Sequence, residues 1–169
     1  GFDNGQTNEG TAYVYHGSAS GISLISNWSA EGNQVNAIFG YSVSTAGDVN
    51  GDGFSDVIIG AYNFDNGQNN EGAAFVFHGS ASGLSLTSNW IAESDQADAS
   101  FGYSVSTAGD VNDDGYSDVI ISANAFDNGQ TNEGAAFVYH GSAAGISLTS
   151  NWSAEGNQGG ALFGYSVST

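Results

Sequence analysis

The sequence predicts an all-β protein built from repeated four-stranded units, and three observations support that prediction. The chain repeats at a period of 62 residues over its whole length, as the Phe-Gly pairs beginning at Phe39, Phe101 and Phe163 show. Within each repeat, short segments either alternate large and small residues or are continuously apolar, which is typical of strands. No segment sustains a 3.6-residue apolar period, so essentially no helix is expected.

Each repeat contains four candidate strands, which are clearest in the repeat that begins at Phe39. Residues 39–46 alternate large side chains with Gly, Ser and Ala, so one face of this strand allows a neighbour to approach closely. Residues 56–61 and 73–78 carry short apolar runs bounded by turn residues, as strands covered on both faces do. Residues 84–90 mix polar and apolar side chains and are predicted to form the exposed edge. The connections are rich in Gly, Asn, Asp and Ser and contain no proline.

Repeated four-stranded antiparallel units of this size pack face to face around an axis, as the blades of a β-propeller do. One unit cannot bury both faces of its sheet alone, so neighbours are required. The 169 residues correspond to about 2.7 repeats, fewer than the roughly four to eight blades of a closed ring, so an incomplete ring is expected. Either the chain belongs to a longer propeller, or several copies complete a ring or stack.

The repeat boundaries predict four successive parts. Residues 1–38 are predicted to form the last two strands of a blade, and residues 39–100 a complete blade with a metal loop. Residues 101–162 are predicted to form a second complete blade with a metal loop, and residues 163–169 the first strand of a further blade.

Composition excludes several classes of partner. The chain has 18 acidic residues and no Lys or Arg, so it has no side chain to neutralise nucleic-acid phosphate or an anionic membrane surface. It has no run of 18 apolar residues, so membrane insertion is not expected. The absence of cysteine excludes disulfides, thiolate catalysis and zinc–thiolate sites. An apolar fraction of 40% is enough for a packed core and argues against disorder.

Two nine-residue loops between first and second strands carry oxygen ligands at the spacing of a calcium loop. Side chains at positions 1, 3, 5 and 9 and the carbonyl at position 7 would surround the ion, with glycine at position 6 for the tight turn. The predicted ligands of the first loop are Asp48, Asn50, Asp52, Asp56 and the carbonyl of Phe54, with Gly53 at the turn. Those of the second loop are Asp110, Asn112, Asp114, Asp118 and the carbonyl of Tyr116, with Gly115 at the turn.

Charge favours a cation in both loops. Three carboxylates in one loop would repel each other, and the chain contains no Lys or Arg to offset them. Two structural Ca²⁺ ions are therefore predicted. An ordinary Asp/Asn/Gly turn is the alternative, whereas an EF-hand does not fit because strands flank the loop and no Glu occupies position 12.

The same residues resemble the FG-GAP repeat of the integrin α-subunit propeller and its bacterial relatives. The resemblance rests on Phe39-Gly40, the calcium loop and the Gly60-Ala61-Tyr62 triplet, and it covers the whole chain at the 62-residue period. Two departures concern the triplet: Tyr62 stands where the family often has Pro, and residues 122–124 keep only the central Ala. The resemblance implies blades with the innermost strand first and calcium in the hairpin between the first and second strands.

The resemblance also implies a function and a place for it. Partner-binding loops would lie on the face opposite the calcium loops, and here they include residues 3–10, 65–72 and 127–134. Their Asn, Gln and Glu content suits polar ligands such as glycans or a second cation, with solvated turns as the alternative. The implied protein is an extracellular or cell-surface binding or adhesion module with a protein or glycan ligand of unknown identity.

The repeated His and Trp residues are predicted to be structural. The three histidines, His16, His78 and His140, share one repeat position at the end of an apolar strand. The three tryptophans, Trp28, Trp90 and Trp152, are expected to cover a neighbouring blade rather than to stack on sugars.

The sequence argues against an enzyme. The paired carboxylates lie inside the metal loops, and no Lys or Arg could clamp an oxyanion or a phosphate. Two other functions remain open. The chain could be a structural repeat subunit of a self-assembling filament or surface layer, or an accessory propeller of a larger secreted enzyme.

Overall fold

The computed structural model describes residues 3–169, which form β-strands joined by turns. In chain order the strands are β1 (Thr11–Val14), β2 (Gly17–Ser18), β3 (Gly21–Ile22), β4 (Trp28–Glu31), β5 (Ser42–Gly47), β6 (Asp56–Ala61), β7 (Ala73–Phe77), β8 (Trp90–Glu93), β9 (Phe101–Gly109), β10 (Asp118–Ala123), β11 (Ala135–Tyr139) and β12 (Trp152–Glu155). Within residues 3–169 no helix is long and apolar enough to span a membrane.

Two complete four-stranded sheets form the body of the chain. Strands β5, β6, β7 and β8 pair in sequence order as an antiparallel sheet, called the middle blade, and β9 to β12 repeat this order as the C-terminal blade. Strands β1 and β4 pair as a two-stranded sheet, called the N-terminal half-blade, with the short β2–β3 hairpin between them in sequence. The predicted all-β fold of antiparallel four-stranded blades is confirmed, and the arrangement is open.

Strand boundaries differ from the predicted ones at the outer strand. The fourth strand was predicted over residues 84–90, but β8 begins at Trp90 and continues to Glu93. Residues 84–89 form a turn instead, because Ser85 N–H donates to the His78 carbonyl and Asn89 Oδ1 accepts the His78 N–H, both at 2.9 Å. The outer strand is therefore not a simple exposed edge, since Trp90 is only 6% exposed.

Residues 163–169 were predicted to be the first strand of a further blade, and they form no regular strand. The segment lies beside β9, where Val167 N–H donates to Ser104 Oγ at 3.1 Å. The equivalent bond one repeat earlier joins Val105 N–H to Ser42 Oγ at 3.0 Å. The segment thus lies beside β9 as β9 lies beside β5, but among residues 3–169 no strand pairs with it as β6 pairs with β5.

The apolar core lies between the blades rather than inside any one of them. Phe101 at the start of β9 is 1% exposed and packs on Phe137 of its own blade, with ring centroids 5.7 Å apart. One buried cluster joins side chains of the middle and C-terminal blades, and a second joins the half-blade to the middle blade. Close approach depends on small residues, because a Cβ on Gly60 would lie 1.9 Å from the Gly102 carbonyl oxygen.

The repeated tryptophans bind each blade to the next. Trp28 Nε1–H donates to the carbonyl of Ser85 at 2.9 Å, and Trp90 Nε1–H donates to the carbonyl of Ser147 at 3.0 Å. Both indoles are 6% exposed, whereas Trp152 is 53% exposed. The expectation that these residues cover a neighbouring blade is confirmed for Trp28 and Trp90.

Tyr139 provides a test of interblade packing at high pH. Its ring packs against Trp90 with centroids 5.1 Å apart, and burial raises the pKa of its hydroxyl from 10.0 to about 12. Since the pKa of Tyr139 is higher in the folded state than in the unfolded state, the free energy of unfolding keeps its full value below about pH 10 and decreases between pH 10 and 12. We expect the free energy of unfolding of Tyr139→Phe to decrease by about 2–3 kcal/mol less over this pH range than that of the unchanged chain, because the variant lacks the hydroxyl. Denaturant unfolding at several pH values measures the difference.

The matched control is Tyr15→Phe, which changes the same repeat position where the side chain is 48% exposed. The middle repeat already carries Phe77 there, so the ring without a hydroxyl fits the fold. Equal alkaline profiles for the Tyr139→Phe chain and the unchanged chain would contradict the prediction.

Candidate metal centres

The two predicted calcium loops are the hairpin loops at one end of the blades. Residues 48–55 connect β5 to β6, and residues 110–117 connect β9 to β10. The last predicted ligand of each loop, Asp56 or Asp118, is the first residue of the second strand. The predicted ligands of each loop therefore lie in one hairpin, although the three carboxylates of a loop do not all lie within 4.8 Å of one another among the described residues.

Asp48 organises the first loop through backbone hydrogen bonds. Its Oδ1 accepts the N–H groups of Gly51 at 2.7 Å and Asp52 at 3.0 Å, and its Oδ2 accepts that of Gly53 at 2.8 Å. Gly53 has φ +87° and nothing lies within 4 Å of the Cβ that a larger residue would add, so the left-handed turn, rather than crowding, favours glycine. These bonds hold the carboxylate toward the interior of the loop.

Asp110 has the same role in the second loop. It accepts the N–H groups of Gly115 at 2.8 Å and Asp114 at 3.1 Å. These backbone donors, led by Gly115, lower the pKa of the Asp110 carboxyl. An ionised carboxylate is the form that can bind a cation.

Asp56 is the buried anchor of the first loop. Its Oδ2 accepts the Val49 N–H at 2.9 Å and its Oδ1 accepts the Gly79 N–H at 2.8 Å, so it ties the hairpin to the segment after β7. Asp118 repeats this, accepting from Val111 at 2.8 Å and Gly141 at 2.9 Å. Burial raises the pKa of Asp56 although both hydrogen bonds act against that change. This carboxylate therefore has a structural role whether or not an ion is bound.

The amide at the third loop position contacts the repeated histidine. Asn50 Nδ2 lies 3.0 Å from Asp52 Oδ2 and 3.2 Å from His78 Nδ1, and its Oδ1 accepts the Asp52 N–H at 3.0 Å. Asn112 lies 3.1 Å from His140 Nδ1 in the second loop. This contact between histidine and loop is not apparent from the sequence, because 28 residues separate the two positions.

The loop residues fit a hard divalent cation. Their donors are carboxylate, amide and backbone carbonyl oxygens, which are the ligands Ca²⁺ prefers. A carboxylate offers about four lone-pair sites. Asp48 uses three of them for backbone N–H groups and Asp56 uses two, so both retain acceptor capacity.

The two loops also contact each other across the blade junction. Ser117 N–H donates to the Asp48 carbonyl at 2.9 Å, and Asp48 N–H donates to Ser117 Oγ at 3.1 Å. The ring of Tyr116 lies directly over Gly51, leaving no room there for a side chain. The two loops are therefore joined directly by backbone and side-chain hydrogen bonds.

A separate acidic group lies at the opposite end of the middle blade. Glu71, Glu93 and Asp95 each offer a carboxylate oxygen, and these oxygens lie within 4.8 Å of one another. Burial raises the pKa of Glu93, and the charges of Glu71 and Asp95 act in the same direction. The sequence indicated the loop over residues 65–72 as a possible polar or cation site, but it did not single out these three acids. The repetition of Glu71 and Glu93 at 62-residue intervals is the signal that could have identified two of them.

A row of tyrosines lies at this same end. Tyr41 immediately precedes β5, and its ring centroid is 5.1 Å from that of Tyr103 and 4.6 Å from that of Tyr62. Tyr103 continues the row to Tyr165 at 5.2 Å, and the hydroxyls of Tyr41 and Tyr103 are 3.2 Å apart. Hydrogen bonds with Tyr165 and Tyr41 raise the pKa of Tyr103. Tyr41 is 49% exposed and Tyr165 is 61% exposed, so the row presents aromatic surface to solvent.

Comparison with known protein families matches residues 39–77 and 101–139 to the FG-GAP repeat. The chain carries FG-GAP repeats. Each matched segment runs from the Phe-Gly pair through the candidate calcium loop to the end of the third strand, so the family model covers the part of the blade described above.

Integrin α subunits are among the curated proteins similar to these FG-GAP repeats. Human integrin alpha-7 is 35% identical over 144 residues, covering 81% of this chain and 11% of that protein. Chicken integrin alpha-6 is 33% identical over 81% of this chain and 12% of its own length. Integrin alpha-4 of Xenopus laevis is 30% identical over 96% of this chain and 16% of its own length. The chain thus spans less than a fifth of these relatives.

Proposed function

We propose that this FG-GAP chain is an extracellular, non-catalytic binding or adhesion module whose blades are stabilised by calcium. The observation that supports this most is the pair of loops around Asp48 and Asp110, which repeat one all-oxygen donor set in equivalent hairpins. The similarity to integrin α subunits supports a binding role and an extracellular or cell-surface location.

Calcium would bind the first loop through the side chains of Asp48, Asn50, Asp52 and Asp56 and the carbonyl of Phe54. The second loop would use Asp110, Asn112, Asp114, Asp118 and the carbonyl of Tyr116. The ion supplies positive charge that offsets carboxylate repulsion. The chain supplies the preformed turn, because backbone N–H groups already orient Asp48 and Asp56. The role of the ion in this proposal is structural.

Recognition would take place at the opposite blade end. The loop over residues 65–72 follows Tyr62 in the chain, and the ring of Tyr62 packs against the exposed Tyr41 with centroids 4.6 Å apart. Aromatic faces next to Asn and Gln side chains suit a glycan or a polar protein surface. The chain has no Lys or Arg that could bind an anionic ligand.

Removal of calcium is expected to destabilise the chain. Two sites saturated at about 100 times their dissociation constants would together contribute about 5 kcal/mol. For a chain of this size that corresponds to a melting temperature roughly 10–20 °C lower in excess chelator than in millimolar Ca²⁺. Circular dichroism melting of calcium-free protein, followed by titration with CaCl₂, measures this difference.

A titration with NaCl at matched ionic strength is the control, because general screening also relieves repulsion in a chain of net charge −18. Equal melting temperatures in Ca²⁺ and chelator would refute calcium stabilisation. The binding role would not be affected by that result, and glycan and protein arrays probed with the folded chain test it separately.

Completion of the ring by further blades is favoured by one specific observation. Trp28 and Trp90 each donate to a loop of the following blade, whereas Trp152 is 53% exposed. We infer that a further blade, from the same longer protein or from another copy, covers Trp152. In the second case the chain could form a filament or surface layer, and analytical ultracentrifugation would show polymers in place of a monomer or closed ring.

A further inference from the structure

Each blade brings acidic residues together at the end opposite the calcium loops. In the middle blade, Ala73 at the start of β7 pairs with Glu93 at the end of β8. Continuing that register places Glu71 opposite Asp95, although 24 positions separate them in the sequence. The result is a cluster of three carboxylates with ligand oxygens within 4.8 Å of one another.

Glu71 shows that this cluster is more than a group of surface acids. The residue is completely buried, and its Oε2 has no hydrogen-bond partner. Its Oε1 accepts the N–H groups of Asn66 at 2.5 Å and Gln68 at 3.3 Å, which holds the carboxylate in place. A buried carboxylate oxygen without a partner is costly, and an ion is one way to satisfy it.

The buried glutamate with an unpaired oxygen recurs in all three repeats. Glu9 and Glu133 are also fully buried with Oε2 unpaired, and their Oε1 atoms accept the N–H groups of Asn4 at 2.5 Å and Asn128 at 2.6 Å. The unpaired oxygen is therefore a regular feature of this repeat position. A structural cap on the loop alone would need only the Oε1 contacts.

We propose that Glu71, Glu93 and Asp95 form a second cation site of the blade, which takes a hard divalent cation with oxygen ligands. Carboxylate donors without nitrogen or sulfur suit Ca²⁺, Mg²⁺ or Mn²⁺. The chain has no Lys or Arg that could replace the ion as a partner. This site uses none of the loop residues assigned to calcium above, so it stands or falls independently of them.

The position of the cluster indicates what the ion would do. The Glu71 carbonyl accepts the Phe101 N–H at 2.9 Å and the Ser94 hydroxyl at 3.0 Å. Asp95 lies in the segment that leads from β8 to β9. The ion would therefore fasten the loop between the second and third strands to the link between two blades.

The neighbouring repeats provide natural variants of the site. Asn33 and Asn157 occupy the position of Asp95, while Glu31 and Glu155 keep that of Glu93. An amide oxygen can still bind a cation, but it lacks the charge. The outer sites should therefore bind more weakly than the middle one, and Asp95→Asn should convert the middle site to the outer type.

The decisive experiment is a calorimetric titration of the calcium-free chain with CaCl₂, comparing Glu93→Gln with Asp98→Asn. Gln keeps an acceptor for the Asn66 side-chain amide, which lies 2.9 Å from Glu93. Asp98 lies in the same interblade link outside the cluster, and the first repeat carries Asn36 at its position, so Asp98→Asn removes one charge without touching the site. Circular dichroism confirms that each variant is folded.

The expected result for Glu93→Gln is the loss of one bound Ca²⁺ per chain or an affinity at least tenfold lower at one site. Asp98→Asn should keep the original stoichiometry, and Asp95→Asn should weaken that one site without abolishing it. The proposal is overturned if Glu93→Gln binds as many ions as tightly as the unchanged chain. It is equally overturned if Asp98→Asn produces the same loss, since the effect would then be general charge.

Discussion

Replacing Gly72 with alanine should prevent the middle and C-terminal blades from packing together. Gly72 has φ +78°, and an added Cβ would lie 2.2 Å from the Phe101 carbonyl oxygen and 2.5 Å from its nitrogen. These are backbone atoms, and Gly72 forms a bridge with Phe101. We expect a loss above about 4 kcal/mol, a large part of the stability of a typical domain, measured by urea unfolding.

Gly67→Ala is the matched control for this prediction. Gly67 belongs to the same loop and also has positive φ, at +114°, but nothing lies within 4 Å of the Cβ it would gain. Its substitution carries only the left-handed backbone penalty of about 1–2 kcal/mol. If the two variants unfolded at the same urea concentration, the close blade contact would have no energetic weight.

Replacing Asp56 with alanine should destabilise the chain even without calcium. The buried N–H groups of Val49 and Gly79 would lose their acceptor, at a combined cost of about 3–5 kcal/mol. Asp52→Ala should behave differently, because Asp52 is exposed and its loss in chelator should change stability by less than about 1 kcal/mol. Urea unfolding of both variants in chelator and in Ca²⁺ separates the structural role from the metal role.

The two variants should show the same reduced response to calcium, so the difference in stability between them in chelator should persist in Ca²⁺. Each removes one proposed ligand of the first loop, so each should lose the part of the calcium stabilisation that this loop contributes. An Asp52→Ala chain that kept the full calcium response would show that this loop does not hold the ion. An Asp56→Ala chain as stable in chelator as the unchanged chain would show that its buried hydrogen bonds are unimportant.

Much of the fold was predictable because the same strand and loop patterns recur at corresponding positions of each repeat. The continuous apolar residues of β6 and β7 identified buried strands, and the hairpin loops follow from Asp, Asn and Gly at fixed spacing. The limits of the outer strand were not predictable. Asn89 and Ser85 bond to the backbone of His78, and this local competition delays β8 until Trp90. These hydrogen bonds depend on the three-dimensional position of His78, which the pattern of polar and apolar residues does not predict.

The candidate sites divide in the same way. The 62-residue period, the four-stranded blades and the two loops at Asp48 and Asp110 could be predicted from the sequence, since these features depend on residues close together in the chain. The burial of Glu71, its unpaired Oε2 and the closeness of its carboxylate to Glu93 and Asp95 could not be predicted in this way. That cluster requires the register of β7 against β8 and the packing of the next blade. Burial and strand register are properties of distant contacts, which is why the second site becomes apparent only in the folded chain.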